Sequence, residues 1–499
     1  MSTQATAAYW PASLIHAQSP AQLLAQSAYE ASGVTVEQYA KKVLAYANCA
    51  REQARRVLVA RRRAMLTDAW APLLVEHVKS WVRPEVADAV LGTGNEHADI
   101  GMNAARDIWR ELAVLYQQEA RRTTTPPAAG EAYLRLVGDE FDQFWDQVEV
   151  ALEAFNDVVI WPTVIERNGE KVIRHRWAAG DCFTVVLDEE DPGVVDALVF
   201  HDEFTDLDGK RHARSILWSD AFHAVFNAKG DIVGGGFEGM NPYGRLPHVA
   251  LHLLPSPDDF WENTAGEDLV NLTLTIGSQR TFANYAWKMN SFKQLVVVGD
   301  RIESKEQQLL DPAAILRIQG QNVTATIADW QVNFDQRRKW IDADMAMAAA
   351  ARGINPERLK RTANYQTAQG ARLGDRGLEE RRRRKSKILR AAERAYYRSV
   401  CLVAKVHGFA DVPDPAAVLD VRHAPMEYLE DPLQRLEYYR QAVEMGVESL
   451  VGLVQTMNPT WTEQQCRDFL AQTKGTNGEL GPVQDSTETQ GPEVSRETP

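Results

Sequence analysis

The order of elements between residues 263 and 408 constrains the fold more than any other feature of this sequence. Apolar residues at helical spacing predict two helices on either side of a strand-rich insert, followed by a polar break and one longer helix. Thr264 and Glu267 are spaced as a capping box at the first helix, and Gly353 suits the left-handed position after the second. The predicted ranges are 263–290 for the first helix, 291–333 for the insert, 334–352 for the second helix, 353–368 for the break and 369–415 for the segment with the long helix.

The sequence before this stretch is helical first and β-rich afterwards. Residues 18–165 read as mostly helical, with patterns over TVEQYAKKVLAYANCAREQARRVLVARRRAML, NAARDIWRELAVLYQQEARR and EAYLRLVGDEFDQFWDQVEVALEAFNDVV. The run RRVLVARRR favours a solvated helix face over a nucleic-acid site. From about 158 to 254 the pattern alternates as in antiparallel strands. It predicts a meander with hairpin turns at Asn168–Gly169, Asp208–Gly209 and Lys229–Gly230.

The sequence after the long helix predicts a smaller helical part. One helix is expected from Asp431–Pro432, and another is expected to be capped by Thr460 with Glu463. Residues 475–499 lack the apolar content to fold and predict a disordered tail. The whole pattern indicates a mixed α+β fold that is predominantly α-helical.

Length and composition limit the class of protein. A chain of 499 residues can bury more than one core, which favours two to four domains. The sequence has no run of 18 apolar residues and no charged N-terminal region followed by an apolar one, which argues against a membrane span and a secretory signal. The four cysteines are far apart and form no CxxC pair, which favours buried thiols in a reducing compartment.

The net charge of −14 is unevenly distributed. Residues 351–407 hold 16 Lys and Arg against 5 Asp and Glu, a local charge of +11, so the rest of the chain carries −25. A protein that coats DNA would be basic throughout. An acidic body with one basic segment suits a protein that lets a polyanion pass while it contacts that polyanion in few places.

The motifs of common enzymes are missing from the sequence. It contains no GxxxxGK loop ending in Ser or Thr, no GxSxG and no HExxH, and Gly234–Gly236 does not open a helix. The DxDG at Asp206–Gly209 lacks the first and last ligands of a calcium loop and is better explained as a hairpin turn. His201, Asp202 and Glu203 would point to alternate faces of a strand, so they favour a solvated strand over a metal site. We therefore expect no enzyme activity, no cofactor and no metal.

Three stretches resemble the portal proteins of tailed bacteriophages, which connect head and tail. The run NPYGRLPHVALHLLPSPDDFWENTAGEDLVNLTLTIGSQRTFANYAWKMNSFKQLVVVGD is similar to the middle of that family. The segment TANYQTAQGARLGDRGLEERRRRKSKILRAAERAYYRSVCLVAKVHG resembles the entry to its long helix and the basic patch that follows. EYYRQAVEMGVESLVGLVQTMNPTWTEQQCRDFL resembles its C-terminal helices. The three stretches lie within about residues 155–472, and the order of the motifs carries the resemblance.

The resemblance implies a ring, usually of twelve subunits, at one capsid vertex, with double-stranded genomic DNA passing through its channel. Further implied partners are the large terminase subunit, the major capsid and scaffolding proteins, and a head-completion or adaptor protein. The particle would assemble in the host cytoplasm, and the protein would remain in the virion, without a membrane. The implied parts are the wing at 1–262, stem helices at 263–290 and 334–352, the clip at 291–333, the tunnel loop at 353–368, the long wing helix at 369–415, and the crown at 416–474.

The resemblance and the local charge together suggest which residues face DNA. Arg352, Arg358, Lys360 and Arg361 flank the implied tunnel loop and would offer sequence-independent phosphate contacts around a ring. The alternative is that these residues pair with Glu357 and its neighbours or cap helix ends. The run Arg381–Lys385 covers every face of one helical turn, so not all of it can meet one partner. Contacts between subunits or with the coat are favoured there over DNA.

The same resemblance suggests where subunits would meet. The stem helices carry a second apolar face, which would pack on a neighbouring subunit in an interface that closes into a ring. The residues of this predicted interface are Leu274, Ile276, Tyr285, Ile341 and Met345.

Two other classes of protein stay open. A capsid or head–tail adaptor protein without a channel would lack the order of helix, insert, helix, basic loop and long helix. A packaging nuclease or ATPase would need acidic metal clusters or a phosphate loop, and the sequence contains neither.

Overall fold

The computed structural model falls into two compact units, Met1–Met426 and Glu427–Pro499. The boundary between the two units, after Met426, therefore does not coincide with the predicted start of the crown at residue 416. The described residues are 36–92, 94–167, 169–188, 195–205, 211–227, 231–234, 240–256, 259–262, 265–291, 294–298, 301–302, 320–321, 324–328, 334–359, 373–426, 439–446, 449–458 and 461–478. The predicted disordered tail at 475–499 lies outside them from residue 479 onwards.

Short helices form the described N-terminal part, and several of the predicted longer helices are interrupted. The expected helix over 35–66 is broken after Ala47, and a second break falls at Gly138, whose φ of 73° favours glycine. The helices are α1 (Val36–Ala47), α2 (Ala50–Leu66), α3 (Ala71–Trp81), α4 (Pro84–Leu91), α5 (Ala104–Leu112), α6 (Pro127–Val137) and α7 (Phe141–Phe155).

The prediction of helix through residues 113–122 is wrong. Helix α5 ends at Leu112, and the next element is strand β1 (Arg121–Thr125), which pairs antiparallel with a strand at Val418–Arg422. The backbone amides of 114–116 donate to the carboxylate of Glu149 on α7, at distances from 2.9 to 3.2 Å. These hydrogen bonds satisfy the amides without a helix. Because the acceptor lies more than 30 residues along the chain, local periodicity could not predict this conformation.

The predicted hairpins are confirmed, but their strands form two sheets and not one meander. Strands β2 (Asp157–Arg167) and β3 (Glu170–Ala179) pair around residues 168–169, as predicted. The last apolar strand, β9 (Val249–His252), returns to pair with β2, because its residues match the buried end of that strand. The other sheet has the order β4 (Phe183–Leu187), β5 (Val195–Thr205), β6 (Arg211–Ser219), β7 (His223–Asn227) and β8 (Ile232–Gly234).

The central stretch has the predicted order of elements. Gly353 takes a φ of 77°, as predicted, and a Cβ there would lie 2.7 Å from the carbonyl carbon of Gly377. Two glycines therefore let the end of one helix approach the start of the next. The elements are α8 (Glu267–Ser291), β10 (Gln294–Val298), β11 (Arg301–Ile302), β12 (Gly320–Gln321), β13 (Thr324–Ala328), α9 (Phe334–Ala351), α10 (Pro356–Leu359), α11 (Arg376–Val406) and β14 (Val418–Arg422).

The largest core joins α8 and α11 to the N-terminal helices. Fully buried aromatic side chains fill it, among them Trp70, Trp109, Trp145, Tyr396 and Tyr397. These residues come from both ends of the first unit, so the N-terminal helices and the long helix share one core. Among the described residues, no helix is both long enough and apolar enough to cross a membrane.

The second unit is described only in part. It contains α12 (Leu450–Met457) and α13 (Glu463–Gly478), and residues 439–444 are helical. The predicted cap pairs Thr460 with Glu463, but Thr460 lies outside the described residues. The capping box observed uses Thr462 and Gln465: the amide of Gln465 donates to Thr462 Oγ1 at 3.3 Å, and the amide of Thr462 donates to Gln465 Oε1 at 2.7 Å.

Candidate functional site

Helices α8 and α9 form an antiparallel hairpin with the β insert at its tip. Strand β10 follows α8 and pairs with β13, which precedes α9, so both helices end at the same small sheet. At the opposite end, Arg352 follows α9 and lies 2.6 Å from Asp268 in the first turn of α8. The hairpin is therefore closed at its base by an ion pair and at its tip by strands.

The base of the hairpin is enclosed by N-terminal helices of the same chain. Thr273 and Thr281 of α8 are buried, and their hydroxyl oxygens accept from the backbone amides of Ala105 and Asp99, both at 2.9 Å. Gly277 lies between them, where a Cβ would be 3.0 Å from Leu74. Small residues thus let α3 and α5 pack closely against α8.

The residues predicted for the subunit interface lie mostly inside this enclosure. Leu274 and Ile276 are 2% and 1% exposed, and Met345 is 8% exposed. Met345 and Ile276 pack together with Ala104, and Ile341 packs against the same cluster while half-buried. Tyr285 is also half-buried and contacts the main core. These side chains thus make their contacts within the chain, and their role between subunits stays a prediction.

The hairpin also carries large apolar side chains that are exposed, towards its tip and along the outer face of α9. Trp287 near the end of α8 is 66% exposed, and Trp340 near the start of α9 is 59% exposed. Met347 is 64% exposed and lies seven residues after Trp340, on the face of α9 opposite to Met345. Ala343 and Ala351 continue this outer apolar face. Helix α9 therefore has two apolar faces, and its own chain covers only one.

The predicted DNA-facing arginines make ion pairs within the chain. Arg352 contacts Asp268, as described above. Arg358 on α10 lies 2.8 Å from Asp375 and 3.2 Å from Glu111, so it links α10 to α5 and to the start of α11. Burial lowers the pKa of Arg358, but Asp375 and Glu111 more than offset this and raise the pKa above its usual value. The alternative expected pairing with Glu357 and its neighbours or capping of helix ends, whereas the observed partners are Asp268, Asp375 and Glu111. Contact of either arginine with DNA stays a prediction.

Lys360 and Arg361 lie outside the described residues. Of the four predicted residues, the described contacts are therefore those of Arg352 with Asp268 and of Arg358 with Asp375 and Glu111.

The basic run on α11 divides between the core and the solvent. Lys385 is 1% exposed, and its ammonium lies 2.5 Å from Glu149 and 2.9 Å from Glu153. Arg381 also pairs with Glu153, at 2.6 Å, and Arg382 donates to the carbonyl oxygen of Ala424. Burial lowers the pKa of Lys385, but Glu153 and Glu149 raise it above its usual value. The ammonium therefore stays charged in the core.

A second buried charge cluster lies farther along α11. Glu393 is fully buried and accepts from Arg122 at 2.7 Å and from the Tyr116 hydroxyl at 2.5 Å. Arg122 also lies 2.7 Å from Asp142. This cluster fixes β1 and the turn before it on the long helix.

The sequence interpretation missed these two clusters, although a signal was present. Glu393 lies on an apolar face of α11, whereas Glu149 and Glu153 lie about 100° from Val148 and Leu152, on the side of Asp142 and Asp146, so the signal concerns Glu393. A carboxylate on an apolar face predicts a buried partner of opposite charge.

Comparisons with known proteins show weak structural similarity only. No protein-family model and no curated protein matches the chain. Among solved structures, one of the virion of a native gene transfer agent particle is similar, with 10% identity and a TM-score of 0.34. One of the neck of an empty particle, with C6 symmetry, has 11% identity and a TM-score of 0.33. Each alignment covers 72% of this chain and 88% of the other.

Proposed function

We propose that this chain is a portal protein, which forms a ring at one capsid vertex and provides the channel for packaging and ejecting double-stranded DNA. The observation that carries the proposal is the helical hairpin: one side of it is enclosed by its own chain, while the outer face of α9 exposes Trp340 towards the tip and Met347 towards the base. The order of the elements supports the same proposal, because a β insert at the hairpin tip and a long helix after α9 match the order that the sequence resemblance implies.

An exposed apolar helix face favours assembly with another copy. When a partner covers large apolar residues on one face of a helix and removes them from water, the free energy falls by about 25 cal/mol per Å² buried. The inner face of α9 is already covered by α8, so the outer face would meet a different surface of the neighbouring subunit. Such a head-to-tail contact closes into a ring when its rotation divides the circle evenly.

The remaining partners are those that the sequence resemblance implies. The β insert at the hairpin tip would bind the terminase motor during packaging and a head-completion or adaptor protein afterwards. The outer parts of the first unit would contact the major capsid and scaffolding proteins, and the protein would stay in the virion. The predicted tunnel loop at 353–368 would contact DNA through phosphates alone. The chain would hydrolyse no ATP itself, and sustained turnover in a clean preparation would contradict this.

The first experiment is negative-stain imaging of the purified full chain, together with its mass by light scattering. We expect rings of about twelve subunits with an axial hole wide enough for duplex DNA. A compact monomer or dimer without a hole would favour the class of capsid or adaptor proteins without a channel.

The double variant Trp340→Glu/Met347→Glu tests the exposed face itself. Two buried carboxylates in a subunit interface are strongly unfavourable, so we expect the rings to dissociate into folded monomers. The control is Val57→Glu/Leu254→Glu, which changes two residues that are 62% and 58% exposed elsewhere. Rings that persist in the first variant, or that dissociate equally in the control, would contradict the role of this face.

A further inference from the structure

The solvent-facing side of α11 carries a row of basic side chains. Arg383, Lys387, Arg390, Arg394 and Arg398 follow one another at intervals of three or four residues. With 3.6 residues per turn they fall within an arc of roughly 80° and extend over about 22 Å of the helix axis. Arg383 and Arg394 are 70% and 47% exposed. We call these five residues the outer basic stripe.

Few carboxylates neutralise the outer basic stripe. After Glu380, the only acidic residue of α11 is Glu393, which is buried against Arg122. Glu379 pairs with Arg383 at 3.0 Å, and Asp420 lies 3.8 Å from Arg394. In the part of the chain that the structure describes, no acidic residue pairs with the three remaining members, Lys387, Arg390 and Arg398.

Positive charge is also in excess beside the outer basic stripe, around His423. His423 follows β14, and its Nδ1 lies 3.1 Å from the Ser386 hydroxyl. Its Nε2 is buried and has no partner among the described residues, and the same holds for Nε of Arg382 and of Arg390. Burial, followed by the charges of Arg390, Arg382, Arg122 and Lys385, lowers the pKa of His423 to about 3. Burial is the largest cause of this lower pKa, and the neighbouring basic side chains add to it.

We propose that the outer basic stripe binds the phosphate backbone of a nucleic-acid duplex, independently of base sequence. With both strands counted, a duplex carries one negative charge per about 1.7 Å of axis, so a length of about 22 Å carries roughly 13 phosphates, and the stripe would meet those on the side that faces it. Four of the five members are arginines, whose planar guanidinium groups bind phosphate oxygens in pairs. Cores of protein interfaces are enriched in Arg but also in aromatic residues and Met, whereas the stripe is a row of five charges without an aromatic member, so it suits phosphates better than a protein surface.

This surface is separate from the loop near Arg358 and does not require the ring or the channel proposed above. Its test uses the purified full chain and a labelled, random-sequence DNA duplex of about 30 base pairs. Binding is followed by fluorescence anisotropy between about 50 and 200 mM salt, where counterion release gives a linear dependence of log K on log salt.

The variant to compare is Arg383→Gln/Lys387→Gln/Arg398→Gln, which removes three exposed charges from the stripe. Each lost phosphate contact lowers the salt slope by about 0.9, so we expect a reduction of about 2.7 and at least about tenfold weaker binding. The matched control is Arg135→Gln/Arg440→Gln/Arg467→Gln, three arginines that are 63%, 67% and 62% exposed outside the stripe. Both variants should unfold at the same urea concentration as the original chain.

Three results would overturn the proposal. In the first, the control weakens duplex binding as much as the stripe variant does, which would indicate an effect of net charge alone. In the second, the stripe variant binds duplex normally but loses binding to poly-glutamate, which would indicate an acidic protein as the partner. In the third, the original chain does not bind duplex even at the lowest salt. Failure of ring formation would leave this binding intact.

Discussion

Arg383 and Lys385 lie two residues apart in one basic run, yet their surroundings are opposite. Lys385 is 1% exposed between Glu149 and Glu153, whereas Arg383 is 70% exposed and pairs with Glu379 on the same helix. Burial makes the first charge dependent on its partners, because an unpaired ammonium in the core would be strongly unfavourable. Water solvates the second charge with or without a partner. Position around the helix therefore decides whether a basic residue stabilises the fold or remains available for binding.

The strongest test of this comparison is Lys385→Met. It leaves Glu149 and Glu153 buried without the ammonium between them, so we expect the free energy of unfolding to fall by about 3–5 kcal/mol. The measurement is urea denaturation followed by circular dichroism. The variant Lys385→Met/Glu153→Met removes a carboxylate as well and should recover part of the loss. If the double variant is as unstable as the sum of both single changes, the pair is not coupled.

A second test uses pH at the border between the two faces of α11. The pKa of His423 is about 3 in the folded chain and about 6.5 in the unfolded chain. As pH falls below about 6.5, the unfolded chain takes up a proton that the folded chain does not, so stability is lost towards pH 3. Above about pH 6.5 the protonation of His423 no longer changes the stability, because the residue is neutral in both states.

The variant His423→Gln isolates this contribution. Between about pH 7.5 and pH 5, we expect the variant to lose less stability than the original chain, by about 2 kcal/mol. Urea midpoints at the two pH values measure this difference in stability. The variant still loses some stability, because other buried histidines such as His248 also have a lowered pKa. Equal losses in both proteins would show that the pKa of His423 is not lowered in the folded chain.

The smallest effect is expected for Arg383→Gln. An exposed pair between residues four apart on a helix contributes less than about 1 kcal/mol, so the urea midpoint should hardly change. A loss comparable to that of Lys385→Met would mean that the outer side chain also supports the core. The comparison between the two faces would then fail.

Patterns over neighbouring residues predicted much of the fold. The hairpin at Asn168–Gly169, the left-handed Gly353 and the order of helix, insert and helix needed only local periodicity and turn chemistry. The pairing of β1 with β14 was not predictable in this way, because its two strands are far apart in sequence. The enclosure of α8 by the N-terminal helices depends on the same kind of distant contact.

The sequence by itself determined that α8 and α9 are helices joined by strands, and that α11 is long and basic. Tertiary structure alone decided which apolar face of α9 is covered, and which members of Arg381–Lys385 point into the core. The physical reason is that a helical period specifies a face but not its partner. The partner is set by whichever distant carboxylate or apolar surface the folded chain brings to that face, as Glu149 and Glu153 do for Lys385.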